Sequence, residues 1–125
     1  GHEVTDYGTY SKDPVDYPDI AFLVASTVSK EGNSLGIIID GAGCGSAITA
    51  NKVPGIRASA CYDRFTAWNS RAHNDVNVLT LGSRVTGEEL VKRIVFTWLS
   101  TDFEGGRHSR RVAKIMDVER KHVKG

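Results

Sequence analysis

The chain has 125 residues, of which 40% are hydrophobic and 25% are charged, so it fits one globular domain over residues 1–125 with a modest core. Its net charge is only +1, and no apolar run approaches the roughly 20 residues that cross a bilayer, which predicts neither a nucleic-acid nor a membrane partner. The two cysteines, Cys44 and Cys61, lack CxxC spacing and favour a reduced protein of the cytoplasm.

The first third of the chain alternates short apolar runs with longer segments of helical period, which predicts an α/β fold with a parallel sheet. A strand is expected around residues 3–8. A helix follows from about Tyr17 to Lys30, with Pro18 in its first turn. The run L-G-I-I-I-D is β-branched and apolar on both faces, which predicts a buried strand in the centre of the sheet.

The remaining elements follow the same alternation. Short segments predict a helix at 47–52 and strands at 57–62 and 76–82. Longer segments predict helices at 64–73, which carries Phe65 and Trp68, at 88–99, which Thr86 would cap, and at 107–122, which is basic with a partial apolar stripe.

The most informative segment is the junction where the apolar strand meets Gly41, Gly43 and Gly45. Glycines at this point let the backbone turn tightly and direct N–H groups at a bound anion. The segment lacks the G-K-[ST] of a P-loop, and Ser46 occupies the third glycine position of the dinucleotide pattern. The alternative is a tight turn that needs glycine for steric reasons alone.

Two further segments could carry chemistry. Arg107 and Arg111 lie four residues apart after a glycine pair, so both guanidiniums could bind one phosphate, unless they are simply solvated surface charges. His73, beside Asn74 at a predicted helix end, is a possible proton shuttle or merely a surface residue. No helical H-x-x-x-H pair includes His73, and the sequence indicates no metal site.

Five ordered blocks cover nearly the whole chain: Y-P-D, I-I-I-D-G-A-G-C-G, A-N-K-V-P-G-I-R-A, A-H-N-D-V-N-V-L-T-L-G-S-R and F-E-G-G-R-H-S-R-R-V. Together they resemble the family of ribose-5-phosphate isomerase B and galactose-6-phosphate isomerase. The resemblance implies a Rossmann-like three-layer α/β sandwich and a homodimer or larger homo-oligomer whose active sites take residues from both subunits. It also implies an isomerase that converts a phosphorylated aldose to a ketose through an enediolate, without metal or cofactor.

The same resemblance assigns roles to individual residues. N–H groups of the loop from Gly41 to Gly45 would hold the enediolate oxygen, and His73 would assist opening of the sugar ring by proton transfer. The other expected substrate contacts are Tyr17 lining the pocket, Asn74 at the hydroxyls, Arg107 with Arg111 at the phosphate, and Arg84 supplied by the partner subunit.

Two departures from the family pattern affect these expectations. The chain opens at a segment that matches the family's second strand, so the first strand and helix, with an aspartate and a histidine of the substrate site, are expected to be missing. The positions of the family's proton-transferring base hold Asp40 and Ser46. We expect Asp40 to act as the base, with a pKa raised by desolvation, and Cys44 to be the rival.

The substrate is left open between a pentose 5-phosphate and a hexose 6-phosphate. Two other functions also stay open from the sequence. One is a catalytically weakened paralogue that binds a sugar phosphate as a sensor or partner subunit. The other is a flavodoxin-like module that binds a nucleotide.

Overall fold

The computed structural model describes residues 2–7 and 16–123. Within residues 16–123 none of the helices is long and apolar enough to span a membrane. In chain order the elements are α1 (Tyr17–Lys30), β1 (Gly36–Asp40), α2 (Cys44–Ala50), β2 (Ala58–Ala60), α3 (Arg64–Ala72), β3 (Val78–Gly82), α4 (Glu88–Ser100) and α5 (Arg107–His122).

In the described part of the chain the three strands form one parallel sheet in the order β1-β3-β2. Gly36 pairs with Val78 and Asp40 with Gly82, while Ala58 pairs with Val78 from the other side. The central strand is therefore β3, whose five residues are all buried. The prediction that 35–40 forms the central strand is wrong for these residues, because β1 lies at an edge of this sheet and Ile39 is 60% exposed.

Helices cover both faces of the sheet and make three layers. On one face, α1 and α2 pack against β1, and Ala21, Ala25 and Ile38 are at the centre of that cluster. On the other face, α3 and α4 pack against Leu79 and Leu81, and Trp98 of α4 is fully buried in that cluster. The α/β fold with a parallel sheet between helical layers, expected from the sequence, is thus confirmed.

Most predicted helices begin and end within a few residues of the observed ones, but two local predictions are wrong. Residues 3–7 have no strand, and Gly8 lies outside the described residues. Thr86 does not cap α4, because the N-cap is Gly87 and makes no side-chain cap bond. Thr86 is instead buried, and its N–H donates to the Gly82 carbonyl at 2.9 Å, which turns the chain out of β3.

Along the direction of its strands, the parallel sheet has two ends that differ chemically. The carboxyl ends of all three strands lie at one of them, called here the carboxyl edge, and the amino ends lie at the other, called here the amino edge. The nine residues of α3 carry the chain from the carboxyl edge back to the amino edge, over about 14 Å at 1.5 Å per residue. The segment before α5 joins the amino edge, since the Glu104 N–H donates to the Ala72 carbonyl at 2.9 Å.

Candidate functional site

The residues predicted from the sequence fall into two groups at opposite edges of the sheet. A carboxyl-edge group lies around the loop that joins β1 to α2. An amino-edge group lies around the end of α3 and the start of α5. The first contains Tyr17, Asp40, Gly41, Gly43, Cys44, Gly45 and Arg84, and the second contains His73, Asn74, Arg107 and Arg111.

The loop after β1 needs glycine for a definite reason. Gly43 has φ +84°, and a Cβ there would lie 3.2 Å from the Leu81 carbonyl carbon. The buried Thr80 hydroxyl donates to the Gly43 carbonyl at 2.7 Å and ties the loop to β3. Steric need therefore accounts for the glycine at position 43, as the alternative interpretation of the motif proposed.

Asp40, at the end of β1, holds this loop together. Its carboxylate accepts hydrogen bonds from the Gly43 N–H, from the Ser46 N–H at 3.2 Å and from the Ser46 hydroxyl at 2.5 Å. Partial burial raises the pKa of the Asp40 carboxyl, but the hydrogen bonds from Ser46 and Gly43 outweigh burial and leave the pKa below its ordinary value. The expectation that desolvation would raise the pKa of Asp40 is wrong, because the loop supplies donors to the ionised form.

The same hydrogen bonds change which N–H groups a ligand could reach. The Gly43 N–H, expected to face the enediolate, donates to Asp40. Within residues 16–123 the N–H groups of Cys44 and Gly45 have no protein acceptor. The N–H groups of Cys44 and Gly45 are thus available to an anion at this loop.

Cys44 and Tyr62 form a pair beside the loop. Cys44 is exposed, and its Sγ lies 3.4 Å from the Tyr62 hydroxyl, which donates to the Ala42 carbonyl at 2.6 Å. The hydrogen bond with Cys44, together with burial, raises the pKa of Tyr62 to about 12. Sequence analysis missed Tyr62, although its place just after β2 puts it at the same carboxyl edge.

Tyr17 and Arg84 flank this loop from two sides. A Cβ at position 45 would clash with the Tyr17 ring, so the ring lies against the Gly45 backbone. The Arg84 N–H donates to the Gly41 carbonyl at 3.0 Å, and a Cβ at Gly41 would lie 3.7 Å from Arg84 Cδ. Arg84, expected from the partner subunit, lies beside the glycine loop of its own chain.

At the amino edge, His73 ends α3 and is surrounded by polar and aromatic groups. Its Nδ1 lies 3.1 Å from Asn69 Nδ2, and its Nε2 lies 3.4 Å from Glu104 Oε1. Its ring stacks on His108 at 3.9 Å between centroids and meets the edge of Trp68 at 4.8 Å. Burial lowers the pKa of His108, and the neighbouring His73 lowers it further.

The turn after His73 is held in an unusual conformation. Asp75 has φ 49°, the only positive φ of a non-glycine residue in the described part of the chain. Arg57 Nε donates to the Asp75 carbonyl at 2.8 Å, and Arg57 and Arg71 approach its carboxylate at 3.4 and 3.7 Å. Asn74 lies inside this turn, so the two arginines fix its backbone.

The two arginines predicted for phosphate lie at the start of α5. Gly105 and Gly106, both at positive φ, bring the chain into the helix. Arg107 and Arg111 are exposed and four residues apart on one face. Both lie in the first turns of α5 with His108, whose ring stacks on His73, so the structure brings both arginines to the same edge as His73.

His73, Glu104 and His108 are a combination that metals use, and their ligand atoms lie within 4.8 Å of one another. Sequence analysis missed this group because tertiary structure, and not helical spacing, brings it together. The two imidazole rings are stacked with only 14° between their planes. Since each donor lone pair lies in its ring plane, both cannot point at one ion at about 2.1 Å, and the observed geometry does not fit a metal.

Known proteins match this chain in sequence and fold over nearly its whole length. Residues 1–115 match the Ribose/Galactose Isomerase family. The chain is 49% identical over 121 residues to ribose-5-phosphate isomerase B of Escherichia coli, covering 97% of this chain and 81% of that protein. The solved structure of ribose-5-phosphate isomerase B from Clostridium thermocellum superimposes with a TM-score of 0.93 at 49% identity, over 98% of this chain and 82% of that one.

A second solved structure is informative about ligands. Ribose-5-phosphate isomerase B from Mycoplasma genitalium, with bound ribulose-5-phosphate, matches with a TM-score of 0.89 at 43% identity. The match covers 93% of this chain and 78% of that one.

Proposed function

The chain belongs to the ribose/galactose isomerase family, and from this premise we propose that it interconverts ribose 5-phosphate and ribulose 5-phosphate. The observation that carries the proposal is the extent of the match, which spans both the glycine loop and the arginine helix. Isomerisation of a phosphorylated sugar follows from the family. The choice of a pentose follows the relative that holds ribulose-5-phosphate. The location in the cytoplasm stays a prediction, based on two free cysteines.

For the proton transfer we propose Cys44 in preference to Asp40. The Asp40 carboxylate is occupied by donors from Gly43 and Ser46, so it has little capacity left to approach a C–H bond. The Cys44 thiol is exposed at the mouth of the loop, and a thiolate is a capable base for carbon acids. This preference reverses the one drawn from sequence, where the hydrogen bonds of Asp40 could not be seen.

In the forward direction the Cys44 thiolate takes the proton from C2 of the open-chain aldose and leaves an enediolate. The proton on the thiol exchanges with solvent at this stage. The thiol then protonates C1, while the hydroxyl proton passes from O2 to O1, so atoms and charge balance. The N–H groups of Cys44 and Gly45 would hold the oxyanion during this exchange. Both lie in the loop that carries the thiol, so base and oxyanion donors move as one unit.

We also propose that one active site uses two chains. The carboxyl-edge group holds the proposed base, and the amino-edge group holds Arg107 and Arg111, with the length of α3 between them. This separation within one copy supports a site that is completed by a second copy. Several large apolar side chains are exposed, as expected for a face that a second copy covers: Phe65 at 66%, Ile115 at 48% and Val118 at 60%.

A second candidate function keeps the binding without the reaction. A weakened paralogue that only binds a sugar phosphate would have no free base at the strand end. Asp40 fits this description, because its carboxylate is engaged by the loop. Both functions predict binding of ribose 5-phosphate. Only the isomerase predicts exchange of the C2 proton with solvent.

The test is proton NMR of ribose 5-phosphate in D2O with the chain as it stands. The wild type should form ribulose 5-phosphate and lose the C2 proton signal. Cys44→Ser should reduce exchange by about 100-fold or more, while Asp40→Asn at a temperature where it stays folded should retain it. If Asp40→Asn abolished exchange and Cys44→Ser did not, the base would be Asp40. Binding without exchange by the wild type would favour the paralogue.

A further inference from the structure

We propose that Asn69 fixes the position of the proton on His73, holding the ring as the neutral tautomer protonated at Nε2. His73 would then act on the sugar as a hydrogen-bond donor and not as a base. The proposal concerns the amino-edge group and rests on the function proposed above. Its basis is the set of hydrogen bonds that joins Asn74, Asn69 and His73 Nδ1, in which each atom can take only one role.

The donor and acceptor atoms can be assigned in turn, beginning at the main-chain carbonyl of Asn69. Asn74 Nδ2 lies 3.3 Å from the carbonyl oxygen of Asn69, and a carbonyl only accepts, so the Asn74 atom there must be the amide nitrogen. The same nitrogen lies 3.0 Å from the side-chain oxygen of Asn69, which accepts its second hydrogen. The Asn69 side chain therefore has its oxygen towards Asn74 and its NH2 towards His73.

The NH2 of Asn69 decides the state of the imidazole. It lies 3.1 Å from His73 Nδ1 and can only donate, so Nδ1 must present a lone pair and carry no hydrogen. The proton of the neutral ring is then on Nε2, which lies 3.4 Å from Glu104 Oε1, an acceptor. A ring protonated on both nitrogens would set an N–H against the N–H of Asn69.

Neighbouring rings keep the imidazole in this orientation. His73 stacks on His108 at 3.9 Å and meets Trp68 at 4.8 Å. A half-turn of the ring would place carbon atoms against both Asn69 and Glu104 and would lose both polar contacts. Turning the Asn69 amide instead would set its NH2 against Asn74 Nδ2. The observed arrangement satisfies the contacts among Asn74, Asn69 and His73 Nδ1 together, and it leaves Nε2 facing Glu104 Oε1 at 3.4 Å.

This arrangement narrows the role that the sequence suggested for His73. Nδ1 is occupied, and Nε2 has a hydrogen and no free lone pair, so neither nitrogen can take a proton from the sugar. Nε2 can exchange Glu104 for a sugar oxygen and stabilise negative charge that develops there. A neutral imidazole that polarises an oxygen is an established catalytic device.

The direct test is the tautomer of His73, read from long-range proton–nitrogen NMR of the 15N-labelled chain at pH 8, with the signal assigned by its loss in His73→Gln. The wild type should show a protonated Nε2 and an unprotonated Nδ1. Asn69→Asp places an acceptor at Nδ1 and should move the proton there. A wild-type ring protonated at Nδ1 or at both nitrogens would overturn the proposal, as would an unchanged tautomer in folded Asn69→Asp.

Activity gives a second measurement on the same variants. Asn69→Asp should lower kcat/KM by about tenfold, the equivalent of one hydrogen bond, with a thermal midpoint close to wild type. Arg64→Leu, on the exposed first turn of α3, is the matched control and should alter neither tautomer nor rate. An inactive wild type with the predicted tautomer would reject the proposed function and leave the assignment of Asn69 standing.

Discussion

Replacing Asp40 with asparagine should destabilise the fold more than it slows the reaction. The carboxylate accepts from Gly43 and from the N–H and hydroxyl of Ser46, and both partners are buried. An amide is nearly the same size but turns an NH2 towards one of these donors. Each buried donor left without an acceptor costs about 1–3 kcal/mol, so we expect a loss of about 2–4 kcal/mol in unfolding free energy.

For a domain of this size the loss corresponds to a fall in Tm of roughly 5–15 °C, which circular dichroism measures directly. The pKa of Asp40 is lower in the folded chain than in the unfolded one, so its contribution is complete above about pH 5. It disappears as the pH falls through the folded-state pKa, and the two proteins should then converge. Asp102→Asn, at an exposed carboxylate, is the control. An unchanged Tm for Asp40→Asn together with lost proton exchange would refute this reasoning and make Asp40 the base.

Two further predictions concern the arginine helix and the glycine loop. Arg111→Glu should raise KM for ribose 5-phosphate by about 100-fold or more, because it reverses the charge that faces the phosphate. An unchanged KM in steady-state kinetics would show that the phosphate binds elsewhere. Gly43→Ala should lower the free energy of unfolding by about 1–3 kcal/mol, and Tm with it. The causes are the φ of +84° at this position and the approach of a Cβ to Leu81. Gly32→Ala, in open space, is its control, and equal melting of the two would contradict the account of the loop.

Much of the scaffold could be predicted from sequence because local signals determine it. Helical period and Pro18 gave α1 its observed bounds, and a β-branched run followed by glycines marked the end of β1. The edge position of β1 could not be predicted in the same way. Its consecutive isoleucines are typical of a strand that is buried on both faces, yet Ile39 is exposed. Which strand is central depends on the pairing of β3 with both others, and pairing is a property of the whole sheet.

The candidate site was predictable in its residue types but not in its hydrogen bonds. The sequence indicated Asp40 as a reactive carboxylate, yet Ser46, six residues later, occupies its oxygen once the loop folds back. His73 looked isolated because α5 is far away in sequence, and it stacks on His108 only after the chain returns to the amino edge. The role of Asn69 likewise depends on the turn at the end of α3.

We propose that the active site of this isomerase takes one edge from each of two copies. Co-expressing Cys44→Ser with Arg111→Glu tests it most directly, because the two variants damage opposite edges. Half of randomly paired dimers would be hybrids, each with one intact and one doubly damaged site, so the mixture should recover about a quarter of wild-type kcat/KM on ribose 5-phosphate. Each variant alone should remain nearly inactive. No recovery from a mixture proven to contain hybrids would place both edges of the site in one chain and contradict the account.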